Sequence, residues 1–146
     1  MNSIKLFTKS ALRAVLWIAV AGLLGCASTS ADKGIQVTLS GSQEVPPATT
    51  SAFGSGRIVV GTDMSVSGSV TTEGVEATAA HIHLGVTGKN GPVIIPLAKT
   101  ANNVWSVPAG AKLTDAQYAS YKAGDLYVNV HSAKYKGGEI RGQLKP

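Results

Sequence analysis

The stretch "DLYVNVH", residues 125–131, decides the fold. Leu126, Val128 and Val130 occupy every second position, and Tyr127, Asn129 and His131 stand between them. Successive side chains of an extended chain point to opposite faces, so a two-residue apolar period predicts a strand with one aliphatic row turned inward. The same period runs through "GIQVTLS" (34–40), where Ile35, Val37 and Leu39 alternate with polar residues. In "MSVSGSV" (64–70), Met64, Val66 and Val70 share one face, and Ser65, Ser67 and Ser69 share the other. "RIVV" (57–60), "ATAAHIH" (77–83), "PVIIPL" (92–97), "VWSV" (104–107) and "EIRGQL" (139–144) add further strand candidates. "GTD" (61–63) and "GKNG" (88–91) are turn signals between them. Pro92 and Pro96 flank "VII", which places that segment at a sheet edge or a strand start, because proline cannot donate to a central ladder. Many short strands at regular spacing predict an all-β, antiparallel sandwich or barrel.

One short helix is expected in "LTDAQYASYKAG" (113–124). Thr114 and Gln117 have the spacing of a capping box, Leu113 and Tyr118 that of a hydrophobic staple. Gly124 supplies a left-handed stop. At two to three turns, the helix is expected to plug one end of the β structure.

The amino terminus carries a different signal. Lys5, Lys9 and Arg13 stand without an acidic neighbour, and the apolar run "AVLWIAVAGLL" (14–24) follows. That is the layout of a secretory signal; a permanent span would need about 20 apolar residues. "LLGC" (23–26) then resembles the lipobox of bacterial lipoproteins, in which the cysteine becomes the lipid-bearing first residue. Cys26 is the single cysteine of the chain. Its use as an anchor leaves no disulfide, cysteine-rich zinc site or thiol nucleophile. The expected organisation is a signal peptide over 1–25, a lipidated Cys26 with a polar tether over 26–34, and one domain over 35–146. Of 13 basic residues, three lie in the leader, leaving ten against eight acidic ones, a net of +2 rather than +5. No Lys/Arg run or basic-aromatic stripe occurs, so no nucleic-acid partner is expected. The expected location is the bacterial cell envelope; Ala27 after the cysteine favours the periplasmic side of the outer membrane where the cell has one.

Three blocks, "LSGSQEVPPATTSAFGSG" (39–56), "AAHIHLGVTGKNGPVIIPL" (79–97) and "AGDLYVNVHSAKYKGGEIRGQL" (123–144), resemble in this order the signature blocks of the CHRD domain, named for chordin. The resemblance spans about Ile35 to Leu144 and implies an immunoglobulin-like β-sandwich or barrel. It implies little about activity, since chordin's growth-factor ligands do not carry over to a bacterial lipoprotein.

The three histidines carry the chemistry. His81 and His83 share one face of their strand, and His131 lies opposite the aliphatic row of its own. Same-face imidazoles at i and i+2 can be bridged by an ion with bonds of about 2.0–2.1 Å, and a third would make a copper or zinc site. "HIHLG" is similar to a strand of copper-zinc superoxide dismutases. The bridging histidine, the zinc-site aspartate and the disulfide of those enzymes have no counterpart, so dismutase activity is not expected. The alternative is a structural network in which Glu44 and Glu139 accept from the histidines and Arg141 pairs with either carboxylate. Without such bonds, Glu139 beside Arg141 reads as a solvated surface pair. No G-x-S-x-G elbow or phosphate loop is present. Two functions follow: a non-enzymatic binding or structural module contacting an envelope protein or glycan, and a copper or zinc protein serving storage or redox chemistry.

Overall fold

The computed structural model describes residues 34–146, so the expected signal peptide, Cys26 and tether fall outside the described residues, apart from Gly34. Nine strands form in chain order: β1 (Ile35–Ser40), β2 (Phe53–Val60), β3 (Val66–Glu73), β4 (Ala77–Leu84), β5 (Val93–Pro96), β6 (Ala98–Ala101), β7 (Val104–Ser106), β8 (Leu126–Ser132) and β9 (Ile140–Leu144). Among the described residues one α-helix, α1 (Asp115–Lys122), lies between β7 and β8. All strand pairings among the described residues are antiparallel, in the order β5-β4-β8-β9-β1-β2-β3-β7-β6.

That order forces the sheet to curl. β5 and β6 are its two ends, yet only Leu97 separates them along the chain. Consecutive Cα atoms lie about 3.8 Å apart, so two ends of a nine-stranded sheet joined by one residue must be brought together. The Leu97 amide donates to the Ala80 carbonyl at 2.9 Å, and the next residue already pairs with β7. One extended segment therefore changes partner at Leu97 and turns the sheet into a nearly closed barrel. A strand that changes partner at a corner is a standard way to join sheet layers.

The aliphatic rows meet inside. Leu39, Ile58, Val70, Val128, Val130, Ile140 and Leu144 are fully buried in one apolar cluster. The strand readings of β1, β4, β5, β7, β8 and β9 hold, and β5 lies at an end of the order as its prolines require. β2 begins four residues before "RIVV", at Phe53, because Gly54 and Gly56 let neighbouring backbone approach closely. β6 has no apolar alternation, all four residues being exposed, and its strand state comes from pairing alone. Met64 is not in β3: it takes φ 67°, and the strand starts at Val66.

The helix forms as its caps dictate. The Gln117 amide donates to Thr114 Oγ1 at 3.3 Å, the Thr114 amide donates to Gln117 Oε1 at 2.9 Å, and Gly124 takes φ 79°. No α1 residue is buried; Tyr118 and Tyr121 pack on the core's margin, so the helix covers the core rather than filling it. Trp105 is buried in the core.

Leu144→Ala is expected to cost about 2–5 kcal/mol, since it empties a fully buried site. Phe53→Ala, at a half-exposed position, should stay within about 0.5 kcal/mol. Urea denaturation measures both, and equal losses would contradict this placement of the core.

Candidate metal centre

Elementary strand geometry puts Tyr127, Asn129 and His131 on the outside of β8, yet Tyr127 and Asn129 are buried. The loops between β1 and β2, between β4 and β5, and between β8 and β9 fold over the outer face of β4, β8 and β9. They are tied to it and to each other. Asn90 Nδ2 donates to the Val45 carbonyl at 2.8 Å, the Tyr135 hydroxyl donates to the Thr49 carbonyl at 2.6 Å, and Gln143 Nε2 donates to Gly85 O at 2.8 Å. A second, polar layer is thereby buried outside the barrel wall.

The three histidines meet at the edge of this layer. His81 Nδ1 and His131 Nε2 are 3.0 Å apart, and one ligand nitrogen from each of the three rings can be chosen so that all lie within 4.8 Å of one another. Backbone carbonyls hold two of the rings. His83 Nδ1 is 2.9 Å from Gly91 O, and His131 Nδ1 is 2.9 Å from Lys136 O. A carbonyl only accepts, so both Nδ1 atoms carry hydrogen and both Nε2 atoms keep a free lone pair. His131 Nε2 therefore accepts from His81 Nδ1. His83 Nε2 is buried and has no hydrogen-bond partner.

The His83 ring is clamped from behind. It stacks on Tyr127 with ring centroids 4.8 Å apart and planes 9° from parallel, and the Arg141 guanidinium lies 3.4 Å from the Tyr127 centroid on the cation–π pattern. Gly91 joins the pair, its carbonyl taking the His83 hydrogen and its amide donating to the Tyr127 hydroxyl at 3.1 Å. A Cβ on Gly91 would overlap the Leu84 carbonyl, so only glycine lets the loop come this close.

Electrostatics favour the neutral form of His81 and His83. Burial, reinforced by the neighbouring His131 and His83, holds His81 below the ordinary 6.5. Burial likewise lowers His83, opposed by the Gly91 carbonyl and, more weakly, by the Asn129 amide. Neutral imidazoles are the metal-binding form. For Glu44, burial raises the carboxyl above 4.5 despite the Asn129 hydrogen bond and the Arg141 charge.

The expected Glu44–Glu139–Arg141 network does not form as such. The histidines bond to carbonyls and to each other, not to either carboxylate. Glu44, 4% exposed, accepts from Asn129 Nδ2 at 3.1 Å. Glu139 is buried rather than solvated and accepts from Thr50 Oγ1 at 2.8 Å. Arg141, 1% exposed, donates to the carbonyls of Val86 and Lys89, to Asn90 Oδ1 and to Gln143 Oε1. The reason is the loop cover, whose carbonyls reach these side chains before they can reach one another. Sequence reasoning gave no role to Tyr127, Asn129 or Gly91. The first two were legible only as the polar row of "YVNVH", on the face that carries the histidines.

Among protein families, the CHRD domain matches residues 35–144. No curated protein and no solved structure matches the chain.

The lowered histidines carry a pH signature. Below about 6.5 the unfolded rings take up protons that the folded ones resist, so stability is complete above that value and falls as the pH drops below it. Glu44 acts oppositely, losing stability as the pH rises above 4.5, and is common to every protein compared. Urea midpoints followed from about pH 7.5 to about pH 5 should fall in the wild type and fall less in a His81→Gln/His83→Gln variant. An unchanged slope would refute this assignment.

Proposed function

The chain belongs to the CHRD domain family, and from that membership and the imidazole cluster we propose a lipid-anchored, non-enzymatic binding module of the bacterial envelope. Its ligand is one copper or zinc ion held by His81, His83 and His131. The observation that carries the reading is that three rings from two strands bring one nitrogen each within 4.8 Å of the others, with the tautomers of two of them set by carbonyls behind the rings. Carbonyls and carboxylates behind ligating histidines are the usual means of orienting such rings. Nitrogens around an ion with bonds of about 2.0–2.1 Å sit roughly 3.3 Å apart in tetrahedral geometry. His81 Nδ1 and His131 Nε2 are already near that distance, an ion between them displacing their hydrogen bond as the His81 hydrogen moves to Nε2, and the widest separation needs to close by about 1.5 Å.

Binding rather than turnover is supported by the partners of the rings. Each imidazole bonds to a backbone carbonyl or another imidazole, so none is poised to activate a serine or threonine hydroxyl. No helix among the described residues is long and apolar enough to cross a membrane; membrane attachment through Cys26 is part of the proposal. The signal peptide and lipobox support placing the domain outside the cytoplasmic membrane, on the periplasmic face of the outer membrane where there is one. Contact with an envelope protein or glycan is part of the same proposal.

Titration of the protein with copper(II) and zinc(II) should give one ion per chain, with His83→Ala at least about tenfold weaker. Equal affinity of the two proteins would remove the metal reading. In cells fed labelled palmitate, the wild type should carry label and Cys26→Ala should not; label on both would contradict the anchor.

A further inference from the structure

Asn129 faces the same place as the three histidines. It is the register partner of His81 across the β4–β8 ladder, and His131, two residues on, shares its face. His83 sits two pairs further along β4, opposite Tyr127. These four side chains form a contiguous patch on two neighbouring strands.

The orientation of the Asn129 amide is determined by its surroundings. Nδ2 donates to Glu44 Oε1 at 3.1 Å and to the Gly137 carbonyl at 3.3 Å, and both partners only accept. The amide therefore cannot flip, and Oδ1 is directed away from them. That oxygen is buried, in a residue only 3% exposed, and has no hydrogen-bond partner. His83 Nε2, in a residue 8% exposed, is the other unpartnered buried atom of this patch. The Asn129 amide is also close enough to act on the His83 ring. Leaving a buried acceptor unmade costs about 1–3 kcal/mol, and two such atoms side by side call for a common partner. A cation satisfies both, because each offers a lone pair.

We propose that Asn129 Oδ1 is the fourth ligand of the site, making a nitrogen-three, oxygen-one set for a divalent ion. This rests on the three-histidine reading and narrows it. A hard amide oxygen suits zinc(II) or copper(II) and adds little for copper(I). Glu44 becomes the group behind the ligand, since its carboxylate polarises the amide through Nδ2 and strengthens Oδ1 as a donor, as carboxylates do behind ligating histidines. Gly138 keeps this support in place. It has φ 137°, and a Cβ there would overlap Asn129 Nδ2 and crowd Glu44.

The test uses the full chain in detergent, titrated with zinc(II) and, under reducing conditions, with copper(I). Asn129→Leu should weaken zinc(II) at least about tenfold and leave copper(I) within a few-fold of the wild type. Because the leucine variant can fail to fold, the wild type is also followed by carbon NMR of the Asn129 side-chain carbonyl, which should shift on adding zinc(II) together with the three imidazole rings. Wild-type zinc affinity in Asn129→Leu, an equal loss for both metals, or a carbonyl signal that stays put while the imidazoles shift would each overturn the fourth ligand and leave the histidine site standing. If the wild type binds no ion, the three-histidine reading falls, and the role of Asn129 with it.

Discussion

Polar groups taken out of water must find partners, and the outer face of β4, β8 and β9 is where this protein meets that requirement. Three loops fold across a face that strand geometry would otherwise leave wet. Once covered, Tyr127, Asn129, His83, Glu44 and Arg141 lose water and need other partners. Several of those partners are backbone carbonyls of the covering loops, at Val86, Lys89, Gly91 and Gly137. The loops are thus held down by the side chains they bury, and each side chain is held in one orientation by the loop above it.

This arrangement separates charge from chemistry. Arg141 is buried with carbonyls, amide oxygens and an aromatic face around it, while Glu44 offsets its charge from beyond hydrogen-bond reach. The guanidinium keeps its proton in such surroundings and works as a fixed post behind Tyr127. Tyr127 transmits that rigidity to the His83 ring by stacking. Ligand nitrogens positioned this way lose little entropy when an ion arrives, so rigidity is itself a contribution to affinity.

The three sequence blocks that resemble the family converge here. The first brings Glu44, the second His81, His83 and Gly91, and the third Tyr127, Asn129, His131 and Arg141. Separations of 85 residues along the chain, as between Asn129 and Glu44, collapse to a hydrogen bond. A site assembled from such distant parts exists only in the closed barrel. Folding and site formation are therefore one event.

Much of this was written in local sequence. Alternation in "DLYVNVH" sorts aliphatic from polar side chains because side-chain direction along a strand depends only on position parity. Thr114, Gln117 and Gly124 delimit the helix because caps act within one turn. His81, His83 and His131 sharing a side follows from the same parity. Other features needed the tertiary structure. Alternation cannot say whether a polar row meets water or a loop, and so Glu139 and Arg141 read as a surface pair although both are buried. Closure at Leu97 and the strand state of "AKTA" come from backbone partners, at Ala80 and in β7, not from residue type. Which nitrogen of His83 and of His131 carries hydrogen is decided by carbonyls of Gly91 and Lys136, which reach the rings only when the loops fold over them.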